Sequence, residues 1–283
     1  MGTEQAGSTA DMPVNPNKML WEKGDFTRIA ASMRESGDAL IESLGINHGL
    51  DVLDLGCGDG TTALPAAQRG ANVLGVDIAQ NLVAAGNARA KAAGLSNLRF
   101  QQGDASDLRD LADNSFDLVV SIFGAMFAPR PLDVAKEMTR VTRSSGRIVM
   151  GNWIPGDPTL VAQILKLSAS YTPPPPEGFV SPMSWGNEDA VRERFQAAGV
   201  PGDNIHCERA TYVFRRQGPP QELLRTFKDY YGPTMNAFEA AARDGRAGAF
   251  EADLTRLFME HNRGDETATD IPATFLKVTV LKP

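Results

Sequence analysis

The sequence predicts an α/β protein built on a doubly wound, mostly parallel sheet with helices on both faces. Three observations predict it. Short apolar runs alternate with helical patterns between about residues 50 and 153. A glycine turn, Gly56-Cys57-Gly58-Asp59-Gly60, joins the first of those strands to the next helix. The two strands that follow lead into acidic residues, Asp77 and Asp104.

Residues 1–17 are polar, carry Pro13 and Pro16, and read as a loose tail. From 18 to 44, Leu20, Phe26, Ile29, Met33, Leu40 and Leu44 recur at helical spacings, with Gly24 and Gly37 as expected interruptions. Strands are expected at 51–55, 72–76, 98–102, 116–122 and 147–153, and helices at 61–68, 80–93 and 131–141. The apolar run at 116–122 suits a strand covered on both faces. Beyond 153 the pattern loosens. A helix is expected over 158–170, with Asp157 as N-cap and Pro158 in its first position. Pro173 to Pro176 enforce an extended segment, and Asn187 caps a helix running to about Ala198. Strands at 210–215 and 274–281 bracket an insertion with helical patterns at 221–231, 233–243 and 250–262.

The 283 residues carry a net charge of −7 and no Lys/Arg-rich block, which argues against nucleic acid as partner, because phosphate binding needs a cationic face. Cys57 and Cys207 make no disulfide framework, and with His48, His206 and His261 they make no metal-ligand pattern, so no metal is expected. No apolar stretch reaches the length of a membrane span, and the N-terminus lacks a signal-peptide core; a cytoplasmic location is expected.

The glycine turn is the most informative stretch. Glycines allow unusual dihedrals and close backbone approach to a ligand, and the following helix start offers unpaired N–H groups. Asp77, seventeen residues after Gly60, is placed to accept both hydroxyl hydrogens of a ribose. Asp104, after the third strand, can accept from an adenine amine. Together these elements describe an adenosine-binding ledge. The turn reads G-x-G-x-G, with Thr61 where a dinucleotide fingerprint has its third glycine. Asp54 would repel a pyrophosphate but attract an ammonium. A nicotinamide-dependent dehydrogenase is therefore the weaker reading.

Residues 50–153 resemble the Rossmann-like core of class I S-adenosylmethionine-dependent methyltransferases, in the group similar to the ubiquinone and menaquinone biosynthesis enzymes. The resemblance rests on Asp54-Leu55-Gly56-Cys57-Gly58-Asp59-Gly60, Val76-Asp77-Ile78, Gly103-Asp104-Ala105, Phe116-Asp117-Leu118-Val119 and Gly146-Arg147-Ile148. It implies a seven-stranded sheet with an antiparallel last strand and S-adenosylmethionine as cofactor. It assigns the methionine part to Asp54, Gly56, Cys57, Gly58 and Gly60, the ribose to Asp77, and the adenine amine to Gly103-Asp104. Ile78 and Ala105 would sandwich the ring, and Ser121 would face the sulfonium.

Residues 18–283 read as one domain, with a helical lid (18–45), a donor-binding core (50–153) and, outside the core pattern and rich in aromatics, expected acceptor-cap segments (155–185 and 216–270). Trp21, Phe26, Phe123, Phe127 and Trp153 are the candidate contacts for a small-molecule acceptor, with Arg28, Tyr171, Trp185, Tyr230 and Tyr231 behind them in rank. No catalytic base is legible, and O-, N- and C-methylation stay open. A donor-binding protein without catalysis is the rival from another class. The resemblance admits a homodimer, although no self-complementary surface is legible.

Overall fold

Five of the hydrophobic runs form parallel strands: β1 (Asp51–Leu55), β2 (Asn72–Asp77), β3 (Leu98–Gln102), β4 (Phe116–Ile122) and β5 (Thr142–Trp153). The computed structural model describes Asn15 and residues 17–283; the expected tail, save Asn15 and Asn17, lies outside them. Two longer strands, β6 (Ile205–Gln217) and β7 (Ala268–Leu281), complete a seven-stranded sheet of order β3-β2-β1-β4-β5-β7-β6. The last strand, β7, runs antiparallel to both its neighbours.

The chain winds outward from β1 to β3 and then returns to β4 on the other side of β1. That reversal opens a crevice beyond the carboxyl ends of β1 and β4, where ligands of such sheets bind. β4 is buried along nearly its whole length because helices cover both faces, and this explains its unbroken apolar run. One of those helices, α6 (Pro131–Val141), starts on a proline and turns Val134, Ala135, Met138 and Val141 inward as one stripe.

Around the sheet lie α4 (Ala63–Gln68), α5 (Gln80–Ala92), α7 (Leu160–Tyr171), α8 (Glu188–Ala197), α9 (Pro220–Tyr230), α10 (Gly232–Arg243) and α11 (Ala247–His261). The N-terminal lid is α1 (Asn17–Lys23), α2 (Thr27–Ala30), one 3-10 turn and α3 (Arg34–Ser43). Gly24 separates α1 from α2 as expected, but Gly37 lies inside α3. The glycine is there for close approach: a Cβ at Gly37 would stand 2.6 Å from Thr61 Cγ2 and 2.9 Å from the Tyr212 hydroxyl.

Two other expectations shift. The helix expected from Pro158 begins at Leu160, and Asp157 accepts from the Thr159 amide at 2.9 Å in the turn before it. Strands β6 and β7 are longer than expected, paired continuously from Ile205↔Val280 to Gln217↔Ala268. Pro272 disguises β7 in the sequence. It is tolerated because it lies before Phe275, where pairing with β5 begins, so its missing N–H faces no partner strand.

The insertion is part of the core rather than an appendage. Phe227, Phe250, Leu254 and Phe258 are buried and join the same apolar cluster as the sheet residues. Each such side chain contributes about 1.5–3 kcal/mol of transfer free energy.

A candidate donor and acceptor cleft

The strand ends converge on a cleft enclosing about 930 Å³ of empty space including its mouth. Its floor follows the strand order: Asp104 after β3, Asp77 on β2, Gly56 to Asp59 after β1, and Ile122 to Ala125 after β4. Asn17, Trp21, Phe26 and Met33 of the lid roof it.

The glycine turn owes its path to two residues with opposite constraints. Gly56 has φ +69°, and a Cβ there would meet Gly124 Cα at 2.6 Å, so the turn closes against the loop after β4. Gly58 has φ +55°, and a Cβ there would make only ordinary contact with the Phe26 ring, at 3.7 Å. One glycine serves packing; the other keeps backbone bare towards the cleft.

Asp77 is 8 % exposed and anchored on both oxygens, which accept from the Gly58 amide at 2.8 Å and the Ala79 amide at 2.9 Å. Burial raises its pKa in spite of those amides. Each oxygen keeps a lone pair, as a diol-binding carboxylate requires. Asp104 is held through one oxygen by the Ser106 amide at 2.8 Å and the Ser106 hydroxyl at 2.6 Å. Its other oxygen accepts from the Asn15 carboxamide at 3.0 Å. The Asn15 amide thus stands where the sequence reading places an adenine amine. Ile78, Gly103 and Ala105 border the cleft beside these acids.

Asp54 lies beneath the turn instead of bordering the cleft. It is buried; one oxygen accepts from the Thr62 hydroxyl and the other has no partner among the described residues. Burial pushes its pKa up to about 7. Burial, aided by the nearby acids, also pushes the Cys57 thiol well above its ordinary value, so it is packing in the turn and no nucleophile. Asp59, missed in the sequence, borders the cleft and pairs with Arg34 at 2.8 Å and Arg89 at 3.3 Å, tying lid and α5 to the turn.

Three further assignments move. Ser121 is a structural pin: its hydroxyl donates to the Leu55 carbonyl at 2.6 Å and accepts from the Ala125 amide at 2.9 Å. Gly60 packs against Leu64 and Phe100 outside the cleft. Trp153 lies behind the wall, stacked on Phe123 with ring centroids 3.7 Å apart, so Phe123 meets the cleft and Trp153 supports it.

Trp21, Phe26, Phe123 and Phe127 do border the cleft. Phe123 sits at φ +61°, an uncommon conformation for a side chain of this size, at the turn out of β4. Trp21 packs edge-on against Phe127 at 5.0 Å, with Phe26 and Tyr231 each at 5.8 Å.

The lid is fastened on both sides. The Asn17 amide donates to the Phe127 carbonyl, and Glu22 accepts from the Gln80 amide at 3.1 Å. No residue of 155–185 or 216–270 borders the cleft; those segments buttress it from behind, Tyr231 against Trp21 and Phe26. Trp185 is buried on Phe195, and the Tyr171 hydroxyl donates to Asp253 at 2.9 Å. Tyr230 is exposed, with the Arg28 guanidinium 5.7 Å above its ring. His261 bonds the Leu257 and Pro158 carbonyls.

Sequence reasoning had no signal for Asn15, Met33, Asp59 or Tyr212, all of which border the cleft. Among the described residues, no cluster of three or more His, Cys, Asp or Glu could hold a metal ion, and no helix is long and apolar enough to cross a membrane.

Known proteins resemble this chain in sequence and fold. The methyltransferase domain family matches residues 53–150, the stretch that holds the glycine turn and both acids. An uncharacterized protein of Mycobacterium tuberculosis (strain H37Rv) is 33% identical over 256 residues, covering 90% of this chain and 91% of its own. Nocamycin O-methyltransferase of Saccharothrix syringae is 31% identical over 253 residues, 84% of this chain and 88% of its own. Among solved structures, the YcgJ protein from Bacillus subtilis superposes with a TM-score of 0.57 at 19% identity, covering 88% of this chain and 99% of its own, a likeness of fold. Similarity to a menaquinone-pathway enzyme, the Bacillus velezensis demethylmenaquinone methyltransferase, is confined to 115 residues, so the narrower subgroup is not carried. With relatives that run nearly its whole length and a core that holds the family's ordered strands and turn, the chain belongs to the class I S-adenosylmethionine-dependent methyltransferases.

Proposed function

We propose that this protein transfers a methyl group from S-adenosylmethionine to an oxygen of a small, largely apolar molecule. One observation carries the reading: a single cleft has two anchored carboxylates at one end and aromatic walls at the other. The residues suit the donor. Asp77 has one free lone pair on each oxygen for the ribose hydroxyls, Gly58 leaves the turn bare, and Ile78 and Ala105 flank the place for the ring. The donor, when bound, supplies a methyl group already activated as a sulfonium substituent, so alignment supplies much of the acceleration. The chain's own part is to orient and to exclude water: Trp21, Phe26, Phe123 and Phe127 line the remainder of the cleft with apolar surface. The relative named as an O-methyltransferase supports oxygen over nitrogen or carbon. A net charge of −7 supports a small acceptor over nucleic acid.

Titration calorimetry with S-adenosylhomocysteine tests the donor. Asp77→Ala is expected to weaken binding by about 1.5–3 kcal/mol, the range for hydrogen bonds to a charged group. Preference for NAD(H) would overturn the donor assignment. Donor labelled in its transferable methyl group, incubated with a fractionated extract of the source cells, tests the acceptor. Label is expected in a small-molecule fraction; label in protein or RNA overturns the acceptor class, and donor binding without label overturns catalysis.

A further inference from the structure

We propose that Tyr212, on the cleft wall beside Phe123, donates a hydrogen bond to a neutral oxygen of the methyl acceptor and so selects oxygen-bearing substrates. The proposal rests on the methyltransferase reading and adds a residue and a substrate feature to it. Tyr212 lies on β6, at the edge of the sheet farthest from β3, yet its ring reaches the cleft. Its ring packs on Phe123, the aromatic wall that the proposed function gives to the acceptor, and its hydroxyl lies beside Thr61.

The side chain is built in, with only 1 % of its surface exposed. Its ring is gripped edge-on by Phe123 at 5.1 Å and by Phe275 at 6.1 Å. Its hydroxyl lies against α3 where Gly37 leaves room, beside Thr61, and makes no hydrogen bond to any described residue. A hydroxyl on the cleft wall with no partner among the described residues is free to donate to a ligand oxygen. Asp54 and burial both oppose the phenolate, so the hydroxyl keeps its proton and acts as a donor. A carbonyl, hydroxyl or ether oxygen meets the requirement.

The test uses Tyr212→Phe and the wild type, both saturated with S-adenosylhomocysteine, and two probes of like shape, acetophenone and ethylbenzene, with affinities read by NMR titration. The wild type is expected to favour the ketone by about 5–10-fold, the worth of one neutral hydrogen bond, and the variant to lose that preference. Homocysteine-product affinity and thermal midpoint should stay unchanged. A ketone preference that survives in the variant, or none in the wild type, overturns the proposal. A fall in S-adenosylhomocysteine affinity gives the hydroxyl to the donor and overturns the acceptor assignment, and a lowered midpoint makes it structural. Failure of the wild type to bind S-adenosylhomocysteine overturns the methyltransferase reading instead.

Discussion

The two ends of the cleft are built in different ways. The end proposed for the nucleoside is assembled from the ends of β1, β2 and β3, with residues between Gly56 and Ala105 and with Asp77 held by backbone amides. The end proposed for the acceptor is lined by side chains that come from Trp21, Phe26 and Met33 in the lid, Phe123 and Phe127 after β4, and Tyr212 on the far strand. A backbone site tolerates few substitutions at its turn, because main-chain geometry has no substitute. A side-chain site can be rewritten one residue at a time. The difference teaches that a new acceptor can be accommodated on the same fold without disturbing the turn.

The sharpest test of that contrast lies within the glycine turn itself. Gly56→Ala should cost about 3 kcal/mol of stability or more, from a strained positive φ together with a clash against Gly124, and chemical denaturation would report it. Gly58→Ala should cost only about 1–2 kcal/mol, since its Cβ meets Phe26 in ordinary contact without a clash, yet should weaken S-adenosylhomocysteine binding. Equal losses of stability in the two variants would break the distinction between packing and approach.

A second test concerns Asp54 below the turn. Its folded pKa, about 7, lies above the ordinary 3.8. The protonated form is favoured by the fold, so this group's contribution is fully present below pH 3.8 and lost as pH rises through about 7. Between those limits the wild type should lose up to about 4 kcal/mol relative to Asp54→Asn, measured by denaturation at several pH values. Parallel pH profiles for the two proteins would show that Asp54 is ionised throughout.

The smallest effect is expected where lid and ledge meet. Asn15→Ala frees one oxygen of Asp104 and should leave stability within about 0.5 kcal/mol. If the Asn15 amide competes with the nucleobase, calorimetry should show S-adenosylhomocysteine binding tightened by about 2–5-fold, the worth of a modest hydrogen bond. Weaker binding would mean that the strap helps to hold the nucleoside.

Legibility followed the same division. The strands at 51–55, 98–102 and 116–122 coincide with the expected ones because each is a short apolar run bounded by turn residues. Asp77 and Asp104 were legible because a strand end places its next residue at the cleft whatever the remote packing. Trp153 was not: its position at the end of β5 suited the site, but the positive φ of Phe123 brings that ring between Trp153 and the cleft. Ser121 was misplaced because its hydroxyl turns back to the Leu55 carbonyl. The segments 155–185 and 216–270 carry aromatics that looked like acceptor walls, but burial draws them into the core behind the lid.

The sequence by itself determined the positions of the first five strands along the chain, the glycine turn and the two acids, since each depends on neighbours within a few residues and on the fixed periods of helix and strand. Only the tertiary structure decided that Asn15 reaches Asp104, that Arg34 reaches Asp59 and that Tyr212 reaches Phe123. Those contacts join residues far apart in the chain, and no local pattern encodes them. They exist because the twist of the sheet and the packing of the lid bring distant side chains to one cavity.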